Sequence, residues 1–204
     1  FMKKIFKKKN YLALILARKG SKRLKNKNIL KLSYKPLVLR TIKNLKKIKN
    51  LFVDILVSSD SKQIEILSKK EKILFFKRPK YLSNSKATSE KSAIHAVKSY
   101  INKYDSVDYV ILFQPTSPFR RNSTIRKTIQ LSKKFPRKQI IGVEPKSKKP
   151  NGVIYLTPFD ILKKKISFKV KNFVPLVIKS KKESIDIDTK EDFVKAKKYL
   201  KLSY

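Results

Sequence analysis

Apolar, β-branched runs alternate with helical patterns along most of the chain. Seven short runs predict strands, at residues 11–17, 52–58, 72–76, 108–113, 139–143, 152–156 and 173–178. Between and after them, apolar residues recur at the i, i+3, i+4 spacing of amphipathic helices, at residues 36–48, 61–70, 89–101, 123–135 and 190–200. The strands are nearly continuous apolar runs, which is typical of a parallel sheet covered by helices. The pattern predicts a single α/β domain over residues 1–204, doubly wound around a mostly parallel sheet with helices on both faces.

The segment after the first predicted strand, ARKGSKRLKNKN at 17–28, is polar and basic. In a doubly wound sheet, ligands bind in the crevice beyond the carboxyl ends of the strands. A tight turn at Gly20 and Ser21 would present backbone N–H groups to an anion, with Arg18, Lys22 and Lys27 supplying positive charge. The segment lacks the glycine spacing of a Walker loop and of a dinucleotide fingerprint. Taken alone, it is either a phosphate-binding loop or a solvated basic loop.

The overall charge adds a second class of function. The chain has 53 basic and 14 acidic residues, a formal net charge of +39, and such a balance is typical of proteins that bind nucleic acid. However, 45 of the basic residues are Lys and only 8 are Arg, whereas base readout and bidentate phosphate contacts favour Arg. The lysines are also spread along the whole chain. Nucleic-acid binding is therefore kept as a less favoured alternative.

Two further observations restrict the chemistry and the location. The chain has no cysteine, which excludes disulfides, thiolate metal sites and a cysteine nucleophile. No apolar run approaches the roughly 20 residues that a membrane-spanning helix needs. The basic N-terminus and the apolar run at 11–17 have the outline of a secretory signal, but a buried first strand explains the run better. We expect a cytoplasmic protein without a membrane partner.

Acidic residues cluster near the C-terminus. Four of the 14 acids lie within seven positions: Asp186, Asp188, Glu191 and Asp192. Asp186 and Asp188 are two residues apart on an extended segment, so they point the same way, with roughly 7 Å between their Cα atoms. Two carboxylates on one face suit Mg²⁺, which also binds triphosphate oxygens. The alternative is that Asp188 or Thr189 merely caps the last helix.

Several polar segments share an order along the chain with a known enzyme family. After the first loop come VSSDS (57–61), KRPKYLSNSKATSEKSAIHAV (77–97), FQPTSPFRR (113–121), KPNGVIYL (149–156) and ESIDIDTKEDF (183–193). Together they resemble the cytidylyltransferases that activate nonulosonic acids, namely CMP-sialic acid synthetases and their legionaminate and pseudaminate relatives. The resemblance implies a Rossmann-like nucleotidyltransferase fold and Mg²⁺ as cofactor. It implies transfer of CMP from CTP to the anomeric hydroxyl of an acidic nine-carbon sugar, with release of pyrophosphate.

The same resemblance implies roles for individual residues. Those expected to act in catalysis are Arg18, Lys27, Gln114, Asp186 and Asp188, of which the two aspartates hold Mg²⁺. Those expected to bind the substrates are Gly20, Ser21, Lys22, Asn28, Arg78, Ala87, Thr88, Ser89, Asn151 and Gly152. In this assignment the first loop binds the triphosphate, Asn28 contacts the ribose and residues 87–89 face the cytosine. Asn151 and Gly152 line the sugar pocket.

The chain departs from the family pattern in three places, one of which is SNSKATS at 83–89, where the acidic residue that often precedes the family's TASS motif is absent. Lys19 and Arg23 stand where the family's first loop usually or often has glycine. The interval from Arg120 to Pro150 is much longer in sialic acid synthetases, where it supplies a dimerisation arm and basic residues that reach the partner's sugar site. Here that insertion is shortened near 136–150. A homodimer is possible without the usual arm, and lysines such as those at 146 or 148 would have to recognise the sugar carboxylate.

Three alternatives stay open at this point. One is a 3-deoxy-manno-octulosonate cytidylyltransferase, whose first loop tends toward an RLPGKP pattern, where this chain has RLKNKN at 23–28. Another is a non-catalytic homologue that binds the nucleotide but lost its arm. The third is a basic nucleic-acid-binding protein, for which neither Asp186 nor Asp188 would be needed.

Overall fold

The structure, a computed structural model, describes residues 9–21, 23–84 and 86–201. Its strands are β1 (Tyr11–Leu16), β2 (Lys31–Leu32), β3 (Lys35–Pro36), β4 (Asp54–Ser59), β5 (Leu74–Lys77), β6 (Tyr109–Phe113), β7 (Ile140–Val143), β8 (Pro150–Pro158) and β9 (Val174–Val177). Its α-helices are α1 (Leu37–Lys46), α2 (Lys62–Lys70), α3 (Ser89–Ile101), α4 (Asn122–Lys134), α5 (Phe159–Lys165) and α6 (Lys190–Lys201). All seven predicted strands and all five predicted helices are present, with ends that differ by at most two residues.

Seven strands form one sheet in the order β5-β4-β1-β6-β8-β7-β9. β1 pairs in parallel with β4 and β6, β4 pairs in parallel with β5, and β7 with β9. Only β8 is antiparallel to its neighbours, β6 and β7. The predicted mostly parallel, doubly wound sheet is therefore confirmed. The chain adds β4 and β5 on one side of β1 and β6 on the other, and open α/β sheets bind ligands at such a switch in strand order.

The side chains of β1 alternate between two apolar layers. Leu12 and Leu14 pack in the layer that α3 and α5 cover, whereas Ala13 and Ile15 pack in the layer that α1, α2 and α4 cover. All four side chains are fully buried. Helices on both faces thus explain why this strand is a continuous apolar run rather than an alternating one.

Two small elements were not predicted from the sequence. The β2–β3 hairpin has only two residues in each strand, which is too short for a periodic pattern. Helix α5 buries just Phe159 and Leu162 and then runs into three lysines, so its apolar stripe is also too short to recognise. It ends at Ile166, which has a left-handed backbone with φ of 48°.

Two arginines differ from the described lysines in their burial. Of the basic residues that the structure describes, only Arg78 and Arg120 are buried. The surplus of lysine therefore lies on partly or fully exposed surface, as is usual for this residue. Within the described ranges, no helix is both long and apolar enough to cross a membrane.

The core assignment can be tested in the central strand. Ile111 of β6 is fully buried, whereas Ile66 of α2 is 45% exposed. We expect Ile111→Ala to lower the free energy of unfolding by about 2–5 kcal/mol, because it removes packed methyl groups and leaves a cavity. The control Ile66→Ala should change it by less than about 0.5 kcal/mol. Urea unfolding with unchanged m-values measures both, and equal losses would contradict the assigned core.

Candidate active site

A crevice of about 420 Å³ opens beyond the carboxyl ends of the parallel strands, at the switch in strand order. It is lined by most of the residues that the sequence analysis assigned to the site: Arg18, Ser21, Lys27, Asn28, Arg78, Ala87, Thr88, Ser89, Gln114, Asp186 and Asp188. These residues come from five separate segments of the chain. The fold therefore brings together side chains that are up to 170 positions apart in the sequence.

Three of the assigned residues do not line this crevice, and a fourth cannot be placed. Asn151 and Gly152 line a second cavity, of about 620 Å³, which shares Gln114 and Asp186 with the crevice. Gly20 belongs to the first loop but lines neither space. Lys22 lies outside the described residues. The two shared residues, Gln114 and Asp186, thus form a common wall between the two cavities.

The first loop is held in place by hydrogen bonds to its backbone. The N–H of Lys19 donates to Asp60 Oδ1 at 2.7 Å, and Asn28 Nδ2 donates to the carbonyl of Arg18 at 2.9 Å. The side chain of Arg18 in turn donates to the carbonyl of Asn84 at 2.8 Å. Asn28 is therefore a residue that shapes the loop, in addition to lining the crevice.

The glycine of this loop is not required by the backbone. Gly20 does not have a positive φ, and a Cβ at this position would meet no atom within 4 Å. A turn at Gly20 and Ser21 therefore places no demand for glycine at position 20, and the binding of an anion by its N–H groups stays a prediction. Positive charge at the crevice comes from the side chains of Arg18, Arg23, Lys27 and Arg78.

Arg78 enters the crevice from the end of β5. Its guanidinium is buried and donates to the carbonyl of Ser58 at 2.9 Å. Burial lowers the pKa of Arg78 to about 10, with nearby Asp60 opposing the shift and Arg18 adding to it. The group therefore stays charged at neutral pH. Beside it, Thr88 caps α3 by accepting from the N–H of Lys91, so the positive end of the helix dipole opens on the crevice.

The segment Ile185–Asp188 alternates between core and crevice. Ile185 and Ile187 are buried in an apolar cluster with α6 and the first loop. Asp186 and Asp188, between and after them, both line the crevice. The two-residue period of an extended segment thus places both carboxylates on the ligand side.

Asp188 is neutralised by two cations of the first loop. Lys27 Nζ lies 2.5 Å from Oδ1, and Arg23 Nη2 lies 2.7 Å from Oδ2. The carboxylate does not cap α6. That role falls to Thr189 and Asp192, which bond reciprocally: Asp192 Oδ2 accepts from the Thr189 N–H at 2.9 Å, and Thr189 Oγ1 accepts from the Asp192 N–H at 3.2 Å.

Asp186 has a different environment. Its Oδ1 is buried and has no hydrogen-bond partner among the described residues. Burial raises the pKa of Asp186 and the charge of Asp188 adds to the rise, while the Thr116 hydroxyl and the charges of Lys27 and Arg120 oppose it. A desolvated carboxylate without a full set of partners is stabilised by a cation. The pair Asp186 and Asp188 therefore fits a hard divalent ion that would also bind phosphate oxygens.

Arg120 fixes the wall between the two cavities from behind. Its guanidinium is buried, donates to the carbonyls of Val153 and Gln114, and lies 5.1 Å from the ring centroid of Phe113. Burial lowers the pKa of Arg120 to about 10, and the charges of Asp186 and Glu183 oppose that shift. Arg120 thus ties the loop after β6 to β8, and Ser117 Oγ adds a second tie by donating to the carbonyl of Gly152 at 3.2 Å.

The family model described as Cytidylyltransferase matches residues 12–195 of the chain. The protein belongs to the cytidylyltransferase family. It is 32% identical over 229 residues to a CMP-N,N'-diacetyllegionaminic acid synthase of Legionella pneumophila, an alignment that spans 94% of this chain and 97% of that protein. It is 35% identical over 143 residues to an N-acylneuraminate cytidylyltransferase of Escherichia coli, covering 70% of this chain and 33% of the relative.

Among solved structures, the cytidylyltransferase resembles a CMP:2-keto-3-deoxy-manno-octonic acid synthetase in complex with CTP. The TM-score is 0.75 at 13% identity, and the match covers 96% of this chain and 100% of the other. At this identity the likeness shows the fold alone. The resemblance inferred from the motifs is confirmed at the level of the family.

Several residues of the two cavities were not predicted from the sequence. Arg23 was noted only as a departure from the family loop, although it pairs with Asp188. Thr116, inside the QPTSP motif, lines the crevice and bonds Asp186. Lys181 and Lys195 line the second cavity. No sequence signal distinguishes these two lysines, because they are two among 45.

Gly152 and Gly20 provide a matched test of the site's geometry. Gly152 has a φ of +79°, and a Cβ there would lie 2.9 Å from Asp186 Oδ2. We expect Gly152→Ala to cost about 1–3 kcal/mol of stability, a fall in Tm of several degrees. Gly20→Ala should change the stability by no more than about 1 kcal/mol in either direction. Calorimetry measures both, and an equal response of the two variants would refute the described wall.

Proposed function

We propose that this cytidylyltransferase transfers CMP from CTP to the anomeric hydroxyl of a nonulosonic acid, an acidic nine-carbon sugar, and releases pyrophosphate. The observation that carries this proposal is the pair of adjoining cavities with the shared wall of Gln114 and Asp186. One cavity holds the basic loop suited to a triphosphate, and the other offers room for the acceptor. A two-substrate transfer needs this arrangement, because both reactants must meet at one atom.

In the proposed complex the triphosphate lies along the first loop. Arg18 and Lys27 would contact the phosphates, and the cytosine would lie near the N-terminus of α3 at Ala87, Thr88 and Ser89. The oxygen of the sugar hydroxyl forms a bond to the α-phosphorus and gives up its proton to water, while the bond from phosphorus to the pyrophosphate oxygen breaks. Catalysis is then mostly positioning and neutralisation of the phosphate charge.

Asp186 and Asp188 are the proposed Mg²⁺ ligands. The bound ion would withdraw charge from the triphosphate oxygens. Support comes from the unpartnered, buried Oδ1 of Asp186 and from the two cations that neutralise Asp188. When CTP enters, Lys27 and Arg23 have phosphates to bind and can leave Asp188. The proposed place of action is the cytoplasm, where CTP is synthesised, in a pathway that makes surface glycans.

The first test measures pyrophosphate release with CTP, Mg²⁺ and a panel of sialic, legionaminic, pseudaminic and 3-deoxy-manno-octulosonic acids. We expect release with one of the three nonulosonic acids and little with UTP or ATP. Lys27→Ala should raise the KM for CTP by about 10- to 100-fold, because it removes a charged contact. Lys25→Ala, an exposed lysine of the same loop, is the control and should change it less than about twofold.

Three other results of these experiments would contradict parts of the proposal. Release with the octulosonic acid alone would favour that alternative substrate. An increase in the sugar KM alone in Lys27→Ala would refute the assignment of the loop to the triphosphate. Failure to bind CTP, together with nucleic-acid binding that weakens steeply with salt, would favour the nucleic-acid alternative.

The metal assignment predicts that nucleotide and ion bind together. Water-proton relaxation by Mn²⁺, used as a probe for Mg²⁺, should show weak binding to the free protein and strong binding with CTP. Asp186→Asn should abolish the CTP-dependent gain. It should unfold no more readily than the wild type at neutral pH, because the raised pKa of Asp186 means that its charged form is held at a cost in the folded state.

Asp160→Asn is the matched control, since Asp160 is exposed at the start of α5 and pairs with Arg137 at 2.9 Å. This variant should keep the CTP-dependent Mn²⁺ binding. Tight Mn²⁺ binding without CTP, retained in Asp186→Asn, would show that the ion binds elsewhere.

A further inference from the structure

The second cavity has a basic side that is formed by the C-terminal part of the chain. Lys181 precedes the Ile185–Asp188 segment, Lys195 lies on α6, and Lys169 lies before β9; all three line the cavity. The turn between β7 and β8 contributes Glu144 to the lining but neither of the lysines at 146 and 148. The source of positive charge that the sequence analysis suggested is therefore not the one that the structure places at this cavity.

Lys181 and Lys195 make no close ion pair with a carboxylate of the described residues. Among the described residues, neither Nζ lies within 4 Å of a carboxylate oxygen. Lys169 differs from them, because its Nζ lies over the ring of Tyr155, 5.8 Å from the centroid. Lys195 has Asp192 as an electrostatic neighbour but makes no ion pair within 4 Å, so both ammonium groups are able to bind an anionic ligand in the cavity.

The acids of the same cavity are already engaged. Asp192 accepts the backbone N–H groups of Asp188 and Thr189 at the start of α6. Glu144 accepts the hydroxyl of Ser147 at 2.5 Å. Asp186 lies in the common wall and faces the crevice as well. These hydrogen bonds hold Asp192 and Glu144 in place, so that on the C-terminal side of the cavity Lys181 and Lys195 are the charged groups able to form a direct ion pair with a ligand.

An unpartnered hydrogen-bond donor gives a second, independent indication of a ligand. Asn151 Nδ2 is buried and has no acceptor in the part of the chain that the structure describes. The other end of this amide is fixed, because Oδ1 accepts from the N–H of Val153 at 3.2 Å. Native proteins rarely leave a buried donor unpaired, so a polar ligand group is expected beside it.

We infer that Lys181 and Lys195 bind the carboxylate of the acidic sugar, and that Asn151 donates to a neighbouring sugar oxygen. This inference rests on the proposed function and adds the residues that recognise the acceptor. In this assignment, residues of a single chain bind the sugar carboxylate: Lys181, just before the Ile185–Asp188 segment, and Lys195 on α6. The segment that holds Asp186 and Asp188 thus also orders the residues that select the sugar.

The test compares Lys181→Ala, Lys195→Ala and the double variant with Lys198→Ala. Lys198 lies on α6 like Lys195, is exposed and does not line the cavity. Its replacement by Ala therefore causes the same change in charge and in helix propensity as Lys195→Ala. Pyrophosphate release is followed at saturating CTP with the most active acid of the panel and with its C1 methyl ester. Salt at about 0.15 M screens the general positive field of the protein.

We expect the double variant to raise the KM for the acid by about 10- to 100-fold and to lose the preference for the acid over the ester. The KM for CTP should stay within about twofold, which also reports that the variant is folded. Lys198→Ala should behave as the wild type.

Two results would overturn the inference in different ways. If the wild type is active but the double variant has the same KM for the acid, the carboxylate assignment is wrong and the proposed function stands. The same holds if Lys198→Ala raises this KM as much as the double variant does. A wild type that releases no pyrophosphate with any acid of the panel would overturn the proposed function, and this assignment with it.

Discussion

The buried guanidinium of Arg120 is the constraint on which the active-site wall depends. It donates to the carbonyl of Gln114, at the end of β6, and to the carbonyl of Val153, in β8. A buried charge is costly unless it is paired and hydrogen-bonded, and Glu183 and Asp186 supply the compensating charge. Arginine suits this position because its planar group donates in two directions at once and stays charged when desolvated. Together with the direct pairing of β6 and β8, Arg120 therefore positions the loop after β6 relative to β8 and the Asp186 segment.

The two aspartates of the crevice have different electrostatic environments. Asp188 has a cation on each oxygen, whereas Asp186 is buried with one oxygen unpaired. In the proposed complex, the triphosphate would bind Lys27 and Arg23, and the divalent ion would bind the two carboxylates. Charged groups that are fixed before the reaction stabilise the charge that develops on the phosphate oxygens in the transition state, because the protein has little to reorganise. The proposed functions of both cavities depend on this arrangement, since Asp186 lines each of them.

The described lysines occupy two kinds of position. At most positions the lysine lies on exposed surface that carries no site, which is why net charge alone pointed to nucleic acid. At Lys27, Lys181 and Lys195 the same side chain lines a cavity. Composition cannot separate these cases, because it counts residues and does not record which of them face one another.

The sequence by itself determined the elements and most of the crevice. Periodicity is local, so apolar runs predicted every strand of the main sheet, and the IDID alternation at 185–188 predicted that both aspartates would face one side. The tertiary structure alone decided the reversed direction of β8, the pairing of Arg23 and Lys27 with Asp188, and the lysines of the second cavity. It also showed that Gly20 meets no steric demand, whereas Gly152 must lack a side chain beside Asp186. These features depend on distances between segments far apart in the chain, and such distances are set by how helices and strands pack, which no local pattern encodes.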